Sequence, residues 1–181
     1  MIQRMKRVAL LALTTMILAT AFTAVASAAR VTATKQAVVR ASATTSSAKK
    51  TLMKKGMNRK VLGYSADGKW LKVKVNGKYG YVHHNRMRFS SGARSLGNFK
   101  LTFYGGDTTT ASGRTPRLNH TISVDPRVIS LGSKVYIDGY GVYYAEDTGG
   151  AVKNKVIDIF VRSEAEANRI GIDYASVYVI Q

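Results

Sequence analysis

YYAEDTGGAVKNKVIDIF, residues 143–160, sets a glycine-rich turn between two runs of β-formers and gives each run a carboxylate, Asp147 and Asp158. Strand alternation puts Val156, Asp158 and Phe160 on one face and Ile157, Ile159 and Val161 on the other, so Asp158 lies beside apolar groups whichever face is inside. An ionised carboxylate there needs hydrogen-bond partners, or its pKa rises until the group is neutral. Outward from this stretch, TISV, VYI, VYYAE, VIDIFV and ASVYVI all read as short strands bounded by Gly, Pro, Asp or Asn. SEAEANRIG is the exception: Ser163 with Glu166 three residues on is a capping box, and Gly171 is a helix stop. Residues 99–181 therefore predict a compact β-barrel with one short helix, of a kind that periodicity alone does not name.

Residues 30–89 form a different unit. In WLKVKV, Trp70, Leu71, Val73 and Val75 interleave with Lys72 and Lys74, and Asn76-Gly77 is a tight hairpin turn feeding YGYV. The unit is small, all-β and studded with lysine. Between Ala29 and Gly97 stand 16 basic residues and one acid, Asp67, whereas Asn98 to Gln181 holds nine of each. One half is strongly cationic and the other neutral, which argues for two modules with different tasks. SSGARSLGN, residues 90–98, reads as a polar linker between them.

The first 28 residues read as a signal peptide: Arg4, Lys6 and Arg7 precede an apolar run, and AVASA supplies small residues for cleavage after Ala28 or Ala26. No stable membrane span is expected once it is removed. The chain has no cysteine, so an exported form has no disulfide and is held by its core. His83, His84 and His120 are too few and too badly spaced to argue for a metal, and His83-His84 reads as the exposed end of a strand. No cofactor is expected.

The remaining aspartates have ordinary readings. Asp107 sits in the polar loop GGDTTT, Asp138 precedes Gly139 in a turn, and Asp173 follows the helix; these are expected to be structural or solvated. Asp125 before Pro126 and Asp147 before Thr148-Gly149-Gly150 each read as a turn residue when taken alone. If both converge on Asp158, like-charge repulsion raises its pKa further and makes a protonated acid feasible at neutral pH. The competing reading is a lone Asp158 accepting backbone N–H bonds at a strand end.

AVVRASATTSS, KKGMNRKVLG and ADGKWLKVKVNGKYGYV resemble the bacterial SH3 module found in cell-wall enzymes. YGGDTTTASG, then HTISVDPRVISLGSKVYIDGYGVYYAEDTGGAVKNKVIDIF, then ASVYVI closely resemble the 3D domain, named for three aspartates and similar to the catalytic core of MltA-type lytic transglycosylases. The resemblance implies an all-β chain, an SH3-like barrel followed by a six-stranded double-psi β-barrel with a short helix. It lays the three family aspartates on Asp125, Asp147 and Asp158, with Asp158 as the catalytic acid.

The function so implied is a secreted, wall-associated lytic transglycosylase that cleaves the MurNAc-GlcNAc bond of peptidoglycan and leaves a 1,6-anhydro product. Such an enzyme can work with one carboxylate, because the muramic C6 hydroxyl is the nucleophile. Asp125 and Asp147 would set the acid's pKa or stabilise an oxocarbenium-like centre. Thr110, Ser112 and Gly113 of TASG either line the cleft or close the barrel, Thr148 and Gly149 belong to the substrate-facing turn, and Tyr104 offers a ring to a sugar. Peptidoglycan glycan strands are the expected partner, with teichoic acids or other anionic wall polymers for the basic module and no nucleic acid. The alternative is a noncatalytic protein that binds wall glycan without cutting it.

Overall fold

The structure, a computed structural model, describes residues 28–180, so the expected signal peptide lies, except for Ala28, outside the described residues. The first module has strands β1 (Arg30–Ala33), β2 (Ala37–Arg40), β3 (Lys49–Met53), β4 (Asn58–Lys60), β5 (Gly63–Tyr64), β6 (Trp70–Val75), β7 (Lys78–His83) and β8 (Met87–Ser91). They form two antiparallel sheets, ordered β3-β2-β7-β6-β5 and β4-β1-β8. On β6, Leu71, Val73 and Val75 are fully buried while Lys74 is exposed. Burial of each such side chain contributes about 2 kcal/mol, so the period-2 pattern fixes the inward face.

The second module has β9 (Ala93–Tyr104), β10 (Thr121–Ser123), β11 (Lys134–Ile137), β12 (Gly141–Asp147), β13 (Val156–Phe160), helix α1 (Glu164–Ile170) and β14 (Asp173–Ile180). Six strands close into a barrel in the order β10-β12-β11-β14-β9-β13. The β10–β12 and β9–β13 pairs are parallel and the other four antiparallel, which is the expected double-psi class with its one short helix. Leu101, Ile122, Val135, Ala145, Ile157 and Val177 fill its interior. The helix starts at the predicted cap, Ser163, whose Oγ accepts from Glu166 N–H; the Glu166 carboxylate reaches one residue past the cap, to the N–H of Arg162. Among the described residues no helix is long and apolar enough to cross a membrane.

Residues 90–98 are not a free linker. Ser90 and Ser91 end β8, and Ala93 to Asn98 are the first half of β9, paired with β14 from Ala93↔Ile180 to Asn98↔Ser176. Small polar residues signal a loop, but the row of backbone donors offered by Tyr178–Ile180 overrides that preference. A register shift between Val177 and Tyr178 marks a bulge, where Gly97 takes φ 82°, open to glycine at little cost.

The modules share a core as a result. Tyr136 and Val142 of the barrel pack with Met87 and Phe89 of the first module, the Phe89 and Tyr136 rings 4.9 Å apart. His84, expected at an exposed strand end, lies instead in a 3-10 turn and is 2% exposed beside Tyr136. Backbone meets backbone where Val142 N–H donates to Gly68 O at 3.0 Å. A Cβ at Gly68, whose φ is 65°, would stand 2.0 Å from Val142 O.

Candidate functional site

Strand register builds the site. Ser123 pairs with Asp147 on one side and with Asp158 on the other, and Asp158 pairs with Thr102. Asp147, Ser123, Asp158 and Thr102 thus form one row across β12, β10, β13 and β9, with the two aspartates roughly 10 Å apart at the backbone by strand spacing. Ile157 and Ile159 fill the core, so the row faces outward. Simple alternation from Ala145, a core residue opposite Ile122, would aim Asp147 into the barrel. A bulge between Ile122 and Ser123 inserts Glu146 and brings Asp147 onto the outer row.

The two acids live in different surroundings. Asp158 is half-buried and accepts the Thr102 hydroxyl on Oδ1 at 2.7 Å, while its Oδ2 takes no hydrogen bond among the described residues. Burial pushes its pKa up; the Thr102 bond opposes this, and the charges of Asp147 and Asp107 add to it. Asp147 is 6% exposed and is held by the N–H groups of Ala111 (2.7 Å) and Thr148 (2.8 Å) on Oδ1 and the Tyr104 hydroxyl (2.9 Å) on Oδ2. Burial in turn holds the Tyr104 phenol protonated, well above the ordinary tyrosine range. Tyr104 lies opposite Phe160 on the neighbouring strand, the rings edge-to-face at 5.4 Å.

Asp125, expected to crowd Asp158, is not among the charges that raise the Asp158 pKa. Its carboxylate is taken by Arg127, through Nε at 3.0 Å and Nη2 at 2.6 Å, and by the N–H of Asn154 at 2.8 Å. The Arg127 hydrogen bond, aided by that of Asn154, holds its pKa far below the ordinary carboxylate range. Its carbonyl accepts the N–H groups of Val128 and Ile129, so Asp125 organises the turn after β10. The second acid felt by Asp158 is Asp107, an exposed loop residue expected to be merely solvated.

The TASG residues close a turn against β12. Thr110 Oγ accepts from Arg114 N–H and shares a hydrogen bond with Ser112, Gly113 N–H donates to Thr110 O, and Ser112 N–H donates to Glu146 O. Gly149 packs on Val152, whose side chain a Cβ would meet at 2.9 Å. Sequence reasoning passed over Thr102, Ser123 and Glu146. Glu146 is 2% exposed, bonded to Thr121 Oγ at 2.8 Å and Arg114 at 2.9 Å, with Arg117 and His120 each at 3.4 Å. Burial alone would raise its pKa, but these partners together lower it and keep it ionised. A cavity of 420 Å³ is bounded by Phe103, Tyr140, Tyr143 and Phe160 and does not include Asp158. A further cavity of 320 Å³ is lined by Tyr104 and Asp107.

Residues 120–181 match the 3D domain family and residues 35–87 the bacterial SH3 domain family, in the order expected. The cell wall-binding protein YocH of Bacillus subtilis (strain 168) is 54% identical over 59 residues, which are 33% of this chain and 21% of that protein. The putative cell wall shaping protein YabE of the same organism is 52% identical over 50 residues, 28% of this chain and 12% of that one. The chain thus spans a small part of these relatives. The crystal structure of MltA from E. coli overlaps 57% of this chain and 32% of that one at 17% identity, with a TM-score of 0.35, a likeness too weak to carry an inference.

Proposed function

We propose that the protein acts at the bacterial cell wall as a lytic transglycosylase, with Asp158 as acid and then base. The observation that carries this reading is a half-buried Asp158 whose pKa burial raises, with one oxygen oriented by Thr102 and the other without a hydrogen-bond partner among the described residues. The Oδ2 proton passes to the bridging oxygen of the MurNAc-GlcNAc bond as the C1–O bond breaks. The muramic C6 hydroxyl then bonds to C1 and returns its proton to Asp158, leaving a 1,6-anhydro end without consuming water. Asp147, fixed by three donors, supplies a steady negative charge that favours the protonated acid and faces the positive charge developing on the sugar. Tyr104 positions Asp147, and Phe160 offers the neighbouring ring to the sugar. Asp125 acts through the turn that carries it rather than on the substrate. The SH3-like module, with its excess of cations, holds the anionic wall.

A relative named for wall binding, and a 420 Å³ cavity that misses Asp158, favour one rival: a barrel that binds glycan without cutting it. Purified protein incubated with sacculi separates the two. Mass spectrometry finds 1,6-anhydro muropeptides with the wild type and none with Asp158→Asn. A wild type that pellets with sacculi yet releases no anhydro product establishes the binding reading instead.

A further inference from the structure

A second cavity, 340 Å³, opens where the two modules meet and is lined from both: Tyr64, Ser65 and Gly68 from the first, Arg117, Lys134 and Tyr144 from the barrel. Lys134 is half-buried and makes no ion pair among the described residues. Its ammonium sits between two rings instead, 4.9 Å from the Tyr64 centroid and 5.5 Å from that of Tyr144. Tyr144 is also stacked by His120, with ring centroids 4.3 Å apart. Carboxylates near the cavity are already committed. Glu146 serves Arg114, Arg117 and His120 together, and Asp67 accepts from the Ser65 hydroxyl and the Lys69 N–H of its own turn. One buried carboxylate therefore answers two guanidinium groups, and Lys134 adds a further uncompensated cation. Tyr64, its phenol pushed up to about 12 by burial and then by Tyr144, makes no hydrogen bond among the described residues and remains a free donor.

A half-buried lysine without an acid, a guanidinium only partly neutralised and a free phenol facing one cavity form a site for a tetrahedral oxyanion. The cavity opens beside a module in which cations outnumber acids sixteen to one up to Gly97, a field that favours a chain of charges over a single one. We propose that this junction pocket binds the phosphate of a phosphodiester polyanion, with Lys134 and Arg117 as charged donors and the Tyr64 hydroxyl as the neutral one. Because Tyr64 comes from one module and Lys134 from the other, the site exists only while the two modules stay packed together. It stands apart from glycan cleavage and survives the failure of that reading.

The test titrates the full chain in low salt with poly(glycerol phosphate), inorganic phosphate and polyglutamate, read by calorimetry, with thermal unfolding to verify that each variant folds. Lys134→Gln weakens binding of the phosphate polymer about tenfold, the loss expected for one charge-assisted hydrogen bond. Tyr64→Phe keeps the ring under Lys134 and weakens binding about threefold, at the lower end of a single neutral bond. Lys60→Gln, an equal loss of charge at an exposed position, changes binding less than about threefold. Equal losses in Lys134→Gln and Lys60→Gln overturn the site, because net charge alone then explains binding. Polyglutamate binding as tightly as the phosphate polymer overturns the phosphate assignment, and inorganic phosphate binding as tightly overturns the polymer.

Discussion

Replacing Asp147 separates its role as an anchor from its role as a charge. Its carboxylate receives three hydrogen bonds, from Ala111 N–H, Thr148 N–H and the Tyr104 hydroxyl, at a site 6% exposed. Hydrogen bonds to a charged group contribute about 1.5–3 kcal/mol each, and donors left buried without partners cost a similar amount. Asp147→Ala strands all three; with some rehydration of the groove, the protein loses about 3–6 kcal/mol, a large part of a typical domain's stability. Asp147→Asn keeps the two N–H groups on its carbonyl oxygen and turns its amide toward Tyr104 Oη, which can accept as well as donate. Its loss is about 1–2 kcal/mol. Equilibrium urea unfolding at pH 7 reads both variants. An alanine variant within about 1 kcal/mol of wild type, or an asparagine variant as unstable as alanine, refutes the anchoring role.

Asp158→Asn is expected to be more stable than wild type at pH 7 and indistinguishable from it near pH 3, in the same urea assay. The raised pKa of Asp158 means that its contribution to stability is full below the ordinary carboxyl value and is lost as pH rises through the folded value. His84 works in the opposite direction: burial first, then His83, pushes its pKa down to about 4, so stability falls as pH drops from the ordinary 6.5 toward 4, and His84→Leu flattens that slope. Gly68→Ala sets a Cβ 2.0 Å from Val142 O at φ 65°, and the lost hydrogen bond, left-handed backbone and shifted Val142 together cost about 3–5 kcal/mol, read as a fall in the unfolding midpoint.

Features set by local chemistry were legible in the sequence. Asn76-Gly77 adopts positive φ angles of 49° and 75° in the hairpin it signals, and Ser163 caps α1. The alternation of VIDIF separates Asp158 from Ile157 and Ile159 but leaves the inward face open; the structure puts the two isoleucines inside and Asp158 out. Features set by partners remote in sequence were not legible. Residues 93–98 form a strand because β14 lies beside them, and His84 is buried because Tyr136 covers it. Asp147 reaches the outer row only through the Glu146 bulge, which no alternation pattern announces. Asp125 is a partial exception: Arg127 two residues on was a visible partner, and a turn opened by Asp-Pro brings the two together.

Carbon-13 titration of the Asp158 carboxyl in the folded protein probes the proposed acid without requiring a substrate. Wild-type Asp158 should titrate above 3.8, the ordinary aspartate value, and the midpoint should fall in Asp147→Asn as the like charge is removed. A midpoint at or below 3.8, or one indifferent to residue 147, contradicts an acid held protonated by its surroundings.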